Sequence, residues 1–184
     1  CPGAGSDSER FGAGATAGGS QAVALGKSAS AGGNISPAIG YLAVANTYGS
    51  TVLGYGANAP GTNSLALGVN ATGNTDAAVA VGFGAISGQN GSSLGYQALS
   101  GFAATALGTN TSANNFGSIA IGSDAATTAA NQLVVGGNST AYISDAYFGS
   151  GITSANAASR DFVLHATGGS GTNIGGADFT LAAG

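Results

Sequence analysis

The 184-residue chain carries three Lys or Arg and seven Asp or Glu, for a net charge of −4, and glycine fills 35 positions while Trp and Met are absent. So few basic residues predict no nucleic-acid partner, and the lack of any apolar run of about 18 residues predicts no membrane insertion. With Cys1 as the only cysteine, an intrachain disulfide is excluded, and order must come from regular backbone pairing or from apolar surface shared with partners.

Ten glycines recur along the chain, each after a short apolar run. They follow a 14-residue period, except for two 13-residue steps on either side of Gly95. A period this regular excludes a disordered linker and indicates a repeat architecture. The repeat glycines are Gly12, Gly26, Gly40, Gly54, Gly68, Gly82, Gly95, Gly108, Gly122 and Gly136.

The residues around each repeat glycine also recur, and we number them relative to that glycine. Position −1 is large and apolar, whereas positions −4, −2, +3 and +5 are mostly Ala, Ser or another small residue. This two-residue alternation predicts strands, and a repeat unit of this length holds two short strands and two turns. The sequence therefore predicts an all-β fold: a parallel β-solenoid (β-roll) of about ten coils over residues 1–137. Residues 138–184, where the period is lost, are predicted to form a short β-rich C-terminal module that caps the roll or leads into a following domain.

The two faces of each strand are predicted from residue size. Two strands within one coil lie too close together to hold Leu between them, so the small residues face inward and position −1 faces outward. At roughly 4.8 Å per coil the outward column makes an apolar stripe about 45–50 Å long, which a soluble monomer rarely exposes. We therefore predict a homotrimer. Its subunit interface would contain Leu25, Ile39, Leu53, Leu67, Val81, Leu94, Leu107, Ile121 and Val135.

Two further features have a position in the repeat. The repeat glycine is expected to allow positive φ or close packing where the strand bends, and the two shortened steps are expected to mark tightened turns. Aromatic residues directly follow four repeat glycines. They are candidates either for packing at the subunit boundary or for a strip that binds sugar or another surface: Tyr41, Tyr55, Phe83 and Tyr96.

The repeat unit Ser-x-Ala-Φ-Gly-x-x-Ala-x-Ala resembles the head repeat of trimeric autotransporter adhesins, the YadA-like left-handed parallel β-roll. Good matches are Ser64-Leu-Ala-Leu-Gly68 with Ala71 and Ser118-Ile-Ala-Ile-Gly122 with Ala125. The resemblance extends over residues 6–137 and implies a trimer with apolar contacts between subunits. The same repeat is used in phage tail fibres, and residues 138–184 look like a module that follows such rolls in those proteins.

Catalytic and cofactor chemistry lacks the residues it would need. A glycan-cleaving fibre requires two carboxylates in one groove, but Asp7 with Glu9 is expected to be a solvated turn, and nothing in the spacing requires Asp145 and Asp161 to meet. The sole histidine, His165, has no partners for a triad or a metal site. We therefore predict no enzyme activity, no metal and no cofactor.

Three functions remain after these exclusions. The leading hypothesis is a structural, non-enzymatic segment of a phage tail fibre or spike, located in the virion, with other fibre or virion proteins and a host receptor or glycan as partners. The second is the head of a bacterial trimeric surface adhesin that binds host or matrix proteins at the cell surface. The third is a self-assembling extracellular filament, since both ends of a solenoid expose unpaired strands unless they are capped.

Overall fold

The computed structural model describes residues 1–137 of the chain. These residues fall within the first of the two units into which the chain divides, Cys1–Ile143 and Ser144–Gly184. The predicted C-terminal module, with Asp145, Asp161 and His165, lies outside the described residues.

The described residues form sixteen short strands and no helix. The strands are β1 (Glu9–Phe11), β2 (Thr16–Ala17), β3 (Val23–Leu25), β4 (Ser30–Ala31), β5 (Pro37–Ile39), β6 (Thr51–Leu53), β7 (Leu65–Leu67), β8 (Thr72–Gly73), β9 (Val79–Val81), β10 (Ile86–Ser87), β11 (Ser92–Leu94), β12 (Leu99–Ser100), β13 (Thr105–Leu107), β14 (Ser112–Ala113), β15 (Ile119–Ile121) and β16 (Leu133–Val135).

Strands from successive coils stack in parallel into two sheets. The first sheet has ten strands, in the order β1-β3-β5-β6-β7-β9-β11-β13-β15-β16, formed by positions −3 to −1 of each coil. The second sheet is narrower, with the groups β2-β4 and β8-β10-β12-β14 joined by bridges through Val44 and Asn58. Paired residues hold the same repeat position in neighbouring coils, as Leu53, Leu67 and Val81 do. The predicted all-β parallel solenoid, with one repeat unit in each coil, is confirmed.

The interior of the roll is built from small side chains. Positions −4, −2, +3 and +5 are buried in nearly every coil, and Val52 is the largest fully buried side chain. Serine hydroxyls at position −4 bind turn carbonyl groups, as Ser64 Oγ does to the Gly61 oxygen at 2.6 Å. The predicted inward and outward faces are therefore those of the structure.

Each coil has two turns, and the shortened coils lose their residue in the second one. The first turn follows the repeat glycine, and the second turn leads from the second sheet back to the first. Pairing keeps register across the shortening, with Ser87 opposite Gly73 and Ser92 opposite Val79. The second turn at residues 88–91 therefore has one residue fewer than the second turn at residues 74–78, and residues 101–104 form another short turn.

The N-terminal end of the roll is covered by the chain itself. Pro2 forms an antiparallel bridge with Glu9, and the Ala4 amide donates to the Ala17 oxygen at 2.8 Å. Arg10 occupies position −2, where the other coils place Ala, Ser or Val, and its Nε donates to the Pro2 carbonyl oxygen at 3.2 Å. Backbone groups of both first strands thus have partners at this end of the solenoid.

Candidate functional site

The outer side of the first sheet is a continuous apolar surface, which we call the apolar face. It consists of positions −3 and −1, whose side chains share one side of the sheet because side chains alternate along a strand. Each of these side chains lies beside its equivalents one coil up and one coil down, through the pairing of the sheet. Its largest exposed members are Phe11, Val23, Leu25, Leu53, Leu67, Val79, Leu94, Leu107, Ile119, Ile121, Leu133 and Val135.

The predicted interface residues all lie on the apolar face. Leu94 and Val135 are about half exposed, at 50% and 51%, whereas Ile39 and Val81 are partly buried. After Glu9, no acidic or basic residue lies on the face, because Arg10 occupies position −2 of the same strand and Lys27, the other cation of the described residues, is placed in a turn. The face therefore offers apolar contact area without a charge that would need desolvation.

The repeat glycines form one backbone column at the edge of the apolar face. Their φ values lie between 101° and 151°, a region that residues with a Cβ rarely enter. A Cβ on Gly68 would overlap the carbonyl oxygen of Gly82 in the next coil. The glycine at this position thus meets two demands, one on backbone conformation and one on the distance between coils.

Two further positions of each coil have positive φ and were not anticipated from the sequence. They are +2 in the first turn and −5 in the second, with φ between 52° and 71°, the left-handed helical region. Several of these residues are Asn, Asp or Gly, which favour this conformation, but Leu42 and Ile35 also occupy it. The frequent Asn residues in the turns were a signal for these positions, which Leu42 and Ile35 obscured.

The predicted aromatic residues form a column at position +1, beside the repeat glycines. Tyr41 stacks on Tyr55 and Phe83 on Tyr96, both with ring centroids 5.3 Å apart, and Val69 fills the coil between the two pairs. Lys27 Nζ lies 5.8 Å from the centroid of the Tyr41 ring. Because the two rings of each pair stack on one another, the pair leaves less ring face free for a sugar than two separate rings would.

A third aromatic pair, on the opposite turn, was not predicted. Phe102 and Phe116 stack with centroids 5.4 Å apart at position −6, the start of the second turn. Tyr48 occupies the same position four coils before Phe102. The aromatic residues at position −6 were the available signal for this column in the sequence. The polar residues that other coils place at the same position conceal that signal.

The described carboxylates are spread over three places on the roll. Asp7 and Glu9 lie at the N-terminal end, where Glu9 is 3.6 Å from the Cys1 amino group, and Asp76 and Asp124 lie in separate turns. Residues 1–137 contain no group of three His, Cys, Asp or Glu side chains that could hold a metal ion. The same residues include no helix that is long and apolar enough to cross a membrane.

Comparison with known proteins identifies the repeat. The family model of the YadA head domain repeat matches residues 38–57, 59–85 and 100–125. Among solved structures, the chain is similar to the collagen-binding domain of the Yersinia adhesin YadA, with 25% identity and a TM-score of 0.54; the match covers 79% of this chain and 82% of that one. No curated protein sequence matches the chain.

Proposed function

Because the chain carries YadA-like head repeats, we propose that it is a non-enzymatic segment of a homotrimeric attachment fibre. The observation that carries this proposal is the apolar face, which runs along all ten strands of the first sheet. A monomer would leave this face in water, whereas burial against copies of the same chain removes it at about 25 cal/mol per Å² of apolar area.

A cyclic trimer suits the shape of this surface. The face is a flat strip along the solenoid axis, so three parallel copies around one axis can each bury it without leaving an open end that continues to grow. The sheet ladders and the shared apolar centre would then make a stiff rod. The second sheet, with Asn58 and Thr72 among the residues on its outer side, would face the solvent.

The solution mass of the fragment tests the trimer. Light scattering after size exclusion should give about three times the 17.1 kDa of one chain. A folded monomer at micromolar concentration would contradict both the trimer and the burial of the apolar face.

A tail fibre or spike of a phage is the more specific function that we propose, with the virion as its location. It is supported by the resemblance of residues 138–184 to modules that follow such rolls in phage fibres. Its partners would be other fibre or virion proteins and a host surface receptor or glycan. The complete gene tests this assignment, because neighbouring virion genes are expected, and a membrane-anchor barrel at the end of the gene would contradict it.

The head of a bacterial surface adhesin is a second candidate. The observation that favours it is the similarity to the collagen-binding domain of an adhesin over 79% of the chain. Binding of the purified trimer to immobilised collagen, with heat-denatured trimer as the control, tests this function. Saturable binding would favour the adhesin, and its absence would favour the fibre.

An axially growing filament is a weaker alternative. Residues 1–5 cover the strands of the first coil, so this end offers few free backbone groups to another solenoid. Concentration-dependent growth of the light-scattering mass beyond the trimer would support the filament over the other two functions.

A further inference from the structure

The second turns form a column in which polar residues lie between aromatic ones. At position −6 the chain places Tyr48, Thr62, Asp76, Gln89, Phe102 and Phe116 in six successive coils. Backbone hydrogen bonds join these turns in order: the amide of Asn90 donates to the Asp76 oxygen at 3.1 Å, and the amide of Ala103 to the Gln89 oxygen at 2.9 Å. The column is therefore continuous along the axis.

A depression lies in this column where the coil length changes. It has a volume of about 240 Å³ and is lined by Pro60, Gly61, Asn74, Thr75, Asp76 and Gln89. Its position follows from the repeat: the five-residue turn at 74–78 is followed by the four-residue turn at 88–91, which has one residue fewer to fill the space beside its neighbour. The shortened coil thus creates a concave spot beside the longer turn.

The lining of the depression offers hydrogen-bonding groups on exposed side chains. One oxygen of Asp76 accepts the Thr62 amide at 2.8 Å, and the other is left for a ligand. The side-chain amides of Asn74 and Gln89 make no hydrogen bond with another residue of the described chain. Together they supply two amide donors with their acceptor oxygens and one charged acceptor.

An aromatic ring lies next to these polar groups. Phe102 follows Gln89 in the column, and its ring stacks on Phe116 on the side away from Gln89. One face of the Phe102 ring is therefore covered by Phe116, and the other is directed toward the preceding coil, whose Gln89 lines the depression. Phe102 is 46% exposed, so this apolar surface is accessible from solvent.

We propose that this depression and the adjoining ring of Phe102 form a binding site for a neutral glycan. Sugar rings present hydroxyl groups around their edge and C–H groups on their face, which match amide and carboxylate side chains beside an aromatic ring. A single carboxylate and no other acidic group is too little for a cation, and the same carboxylate repels anions. The site deepens the attachment role proposed above and rests on it for its biological purpose.

The dimensions favour a short segment of a chain of sugars over a deeply held ligand. A cavity of about 240 Å³ lies below the usual range for drug-sized ligands, about 300–1,000 Å³, and its side chains are exposed. One sugar unit would occupy the depression while the next lies against Phe102. We expect a dissociation constant on the order of 1 mM for each copy, with three copies per trimer adding avidity on a dense glycan surface.

Titration of the isotope-labelled trimer with cellotetraose, maltotetraose and chitotetraose tests the site by NMR. At least one sugar should shift the backbone amide signals of Asp76, Gln89 and Phe102. Phe102→Ala should weaken that binding about five- to tenfold and Gln89→Ala about fivefold. Asp76→Asn should keep the fold, since Asn34 at the same position accepts the Ser20 amide in the same way.

The matched control is Tyr48→Ala, which removes an exposed ring at the same position of the repeat, outside the residues that line the depression. It should leave the affinity unchanged. Equal loss in Tyr48→Ala and Phe102→Ala, signal shifts confined to the first turns, or no shift with any of the three sugars would overturn the site. So would shifts of these amides by a collagen-like peptide but by none of the sugars.

Light scattering of the same samples separates this proposal from the previous one. A monomer that binds sugar at Gln89 and Phe102 would keep the site and remove the trimeric fibre. A trimer that binds none of the sugars would keep the fibre and remove the site.

Discussion

Three residues in each coil adopt positive φ, and they tolerate different side chains for different reasons. At +2 and −5, φ is near 55°, which costs a residue with a Cβ only about 1–2 kcal/mol, so Leu42 and Ile35 are found there as well as Asn. At the repeat glycine, φ exceeds 100° and the next coil is in contact. Of these three positions, only that of the repeat glycine requires glycine, and only that one recurs regularly enough to be recognised in the sequence.

Replacing Gly68 with alanine tests this distinction. An alanine at this position would have a strained φ of 133°, and its Cβ would overlap the Gly82 carbonyl oxygen. We therefore expect Gly68→Ala to lower the free energy of unfolding by about 2–4 kcal/mol. Thermal and denaturant unfolding followed by circular dichroism measure the loss. Gly84→Asn is the control, since Gly84 has φ 61° and its nearest neighbour would be a flexible Gln97 carbon at 3.6 Å. A loss as large for Gly84→Asn would contradict the argument.

Each coil as an element is limited by the distance between its two strands. Ala66 at position −2 is fully buried, and Val52 at the same position is the largest side chain that the interior holds. The close packing that excludes Leu from the interior also forces Leu, Ile and the aromatic residues onto the outer side. The apolar face is therefore a consequence of the short coil.

Enlarging an inward residue should strain one coil. Ala66→Leu should lower the free energy of unfolding by about 1–3 kcal/mol or more, whereas Ala66→Val, which copies Val52, should cost less. Ala126→Leu is the control, because Ala126 is exposed on the outer side of the second sheet. If Ala66→Leu and Ala126→Leu unfold at the same denaturant concentration, the interior has more room than the structure indicates.

The strands could be predicted from the sequence because the same alternation of small and large apolar residues occurs in ten successive repeat units. The alternation of Ala66 with Leu65 and Leu67 marks both faces, and the regular step between repeat glycines sets the pairing of coils. The second turns could not be predicted in the same way, because their conformation accepts many residue types. The Phe102–Phe116 stack and the depression beside Gln89 arise there, where a one-residue deletion changes a surface and leaves the strand register intact.

At the scale of the whole molecule, the two sides of the roll have different surroundings in the proposed trimer: the first sheet faces the other subunits and the second sheet faces water. The first sheet presents mainly Leu, Ile and Val, and the outer side of the second sheet holds Thr, Ser and Asn together with Val44, Ile86 and Leu99. With so few charges in the chain, ion pairs cannot determine how the subunits associate. Association must then depend on apolar area, and a charge placed on the apolar face should weaken it strongly.

Leu53→Glu and the double variant Leu53→Glu/Leu94→Glu test that dependence. Both leucines are about half exposed, at 46% and 50%, so a carboxylate there stays hydrated in the single chain but would be buried near its two symmetry copies in the trimer. We expect the mass measured by light scattering to fall from about three times 17.1 kDa toward one chain, most completely for the double variant.

The control for these variants is Asn58→Glu, which places the same charge on the outer side of the second sheet. It should leave the mass unchanged, and circular dichroism should show β-structure in all three proteins. Leu53→Ser removes apolar area without adding charge, and its trimer should dissociate to an extent between that of the unmodified protein and that of Leu53→Glu. This variant replaces Leu53→Glu in the test if Leu53→Glu does not fold. A trimer that persists in the double variant, or that dissociates in Asn58→Glu, would place the subunit contact on another face, because burial of six carboxylates at the present one is too costly to leave the mass unchanged.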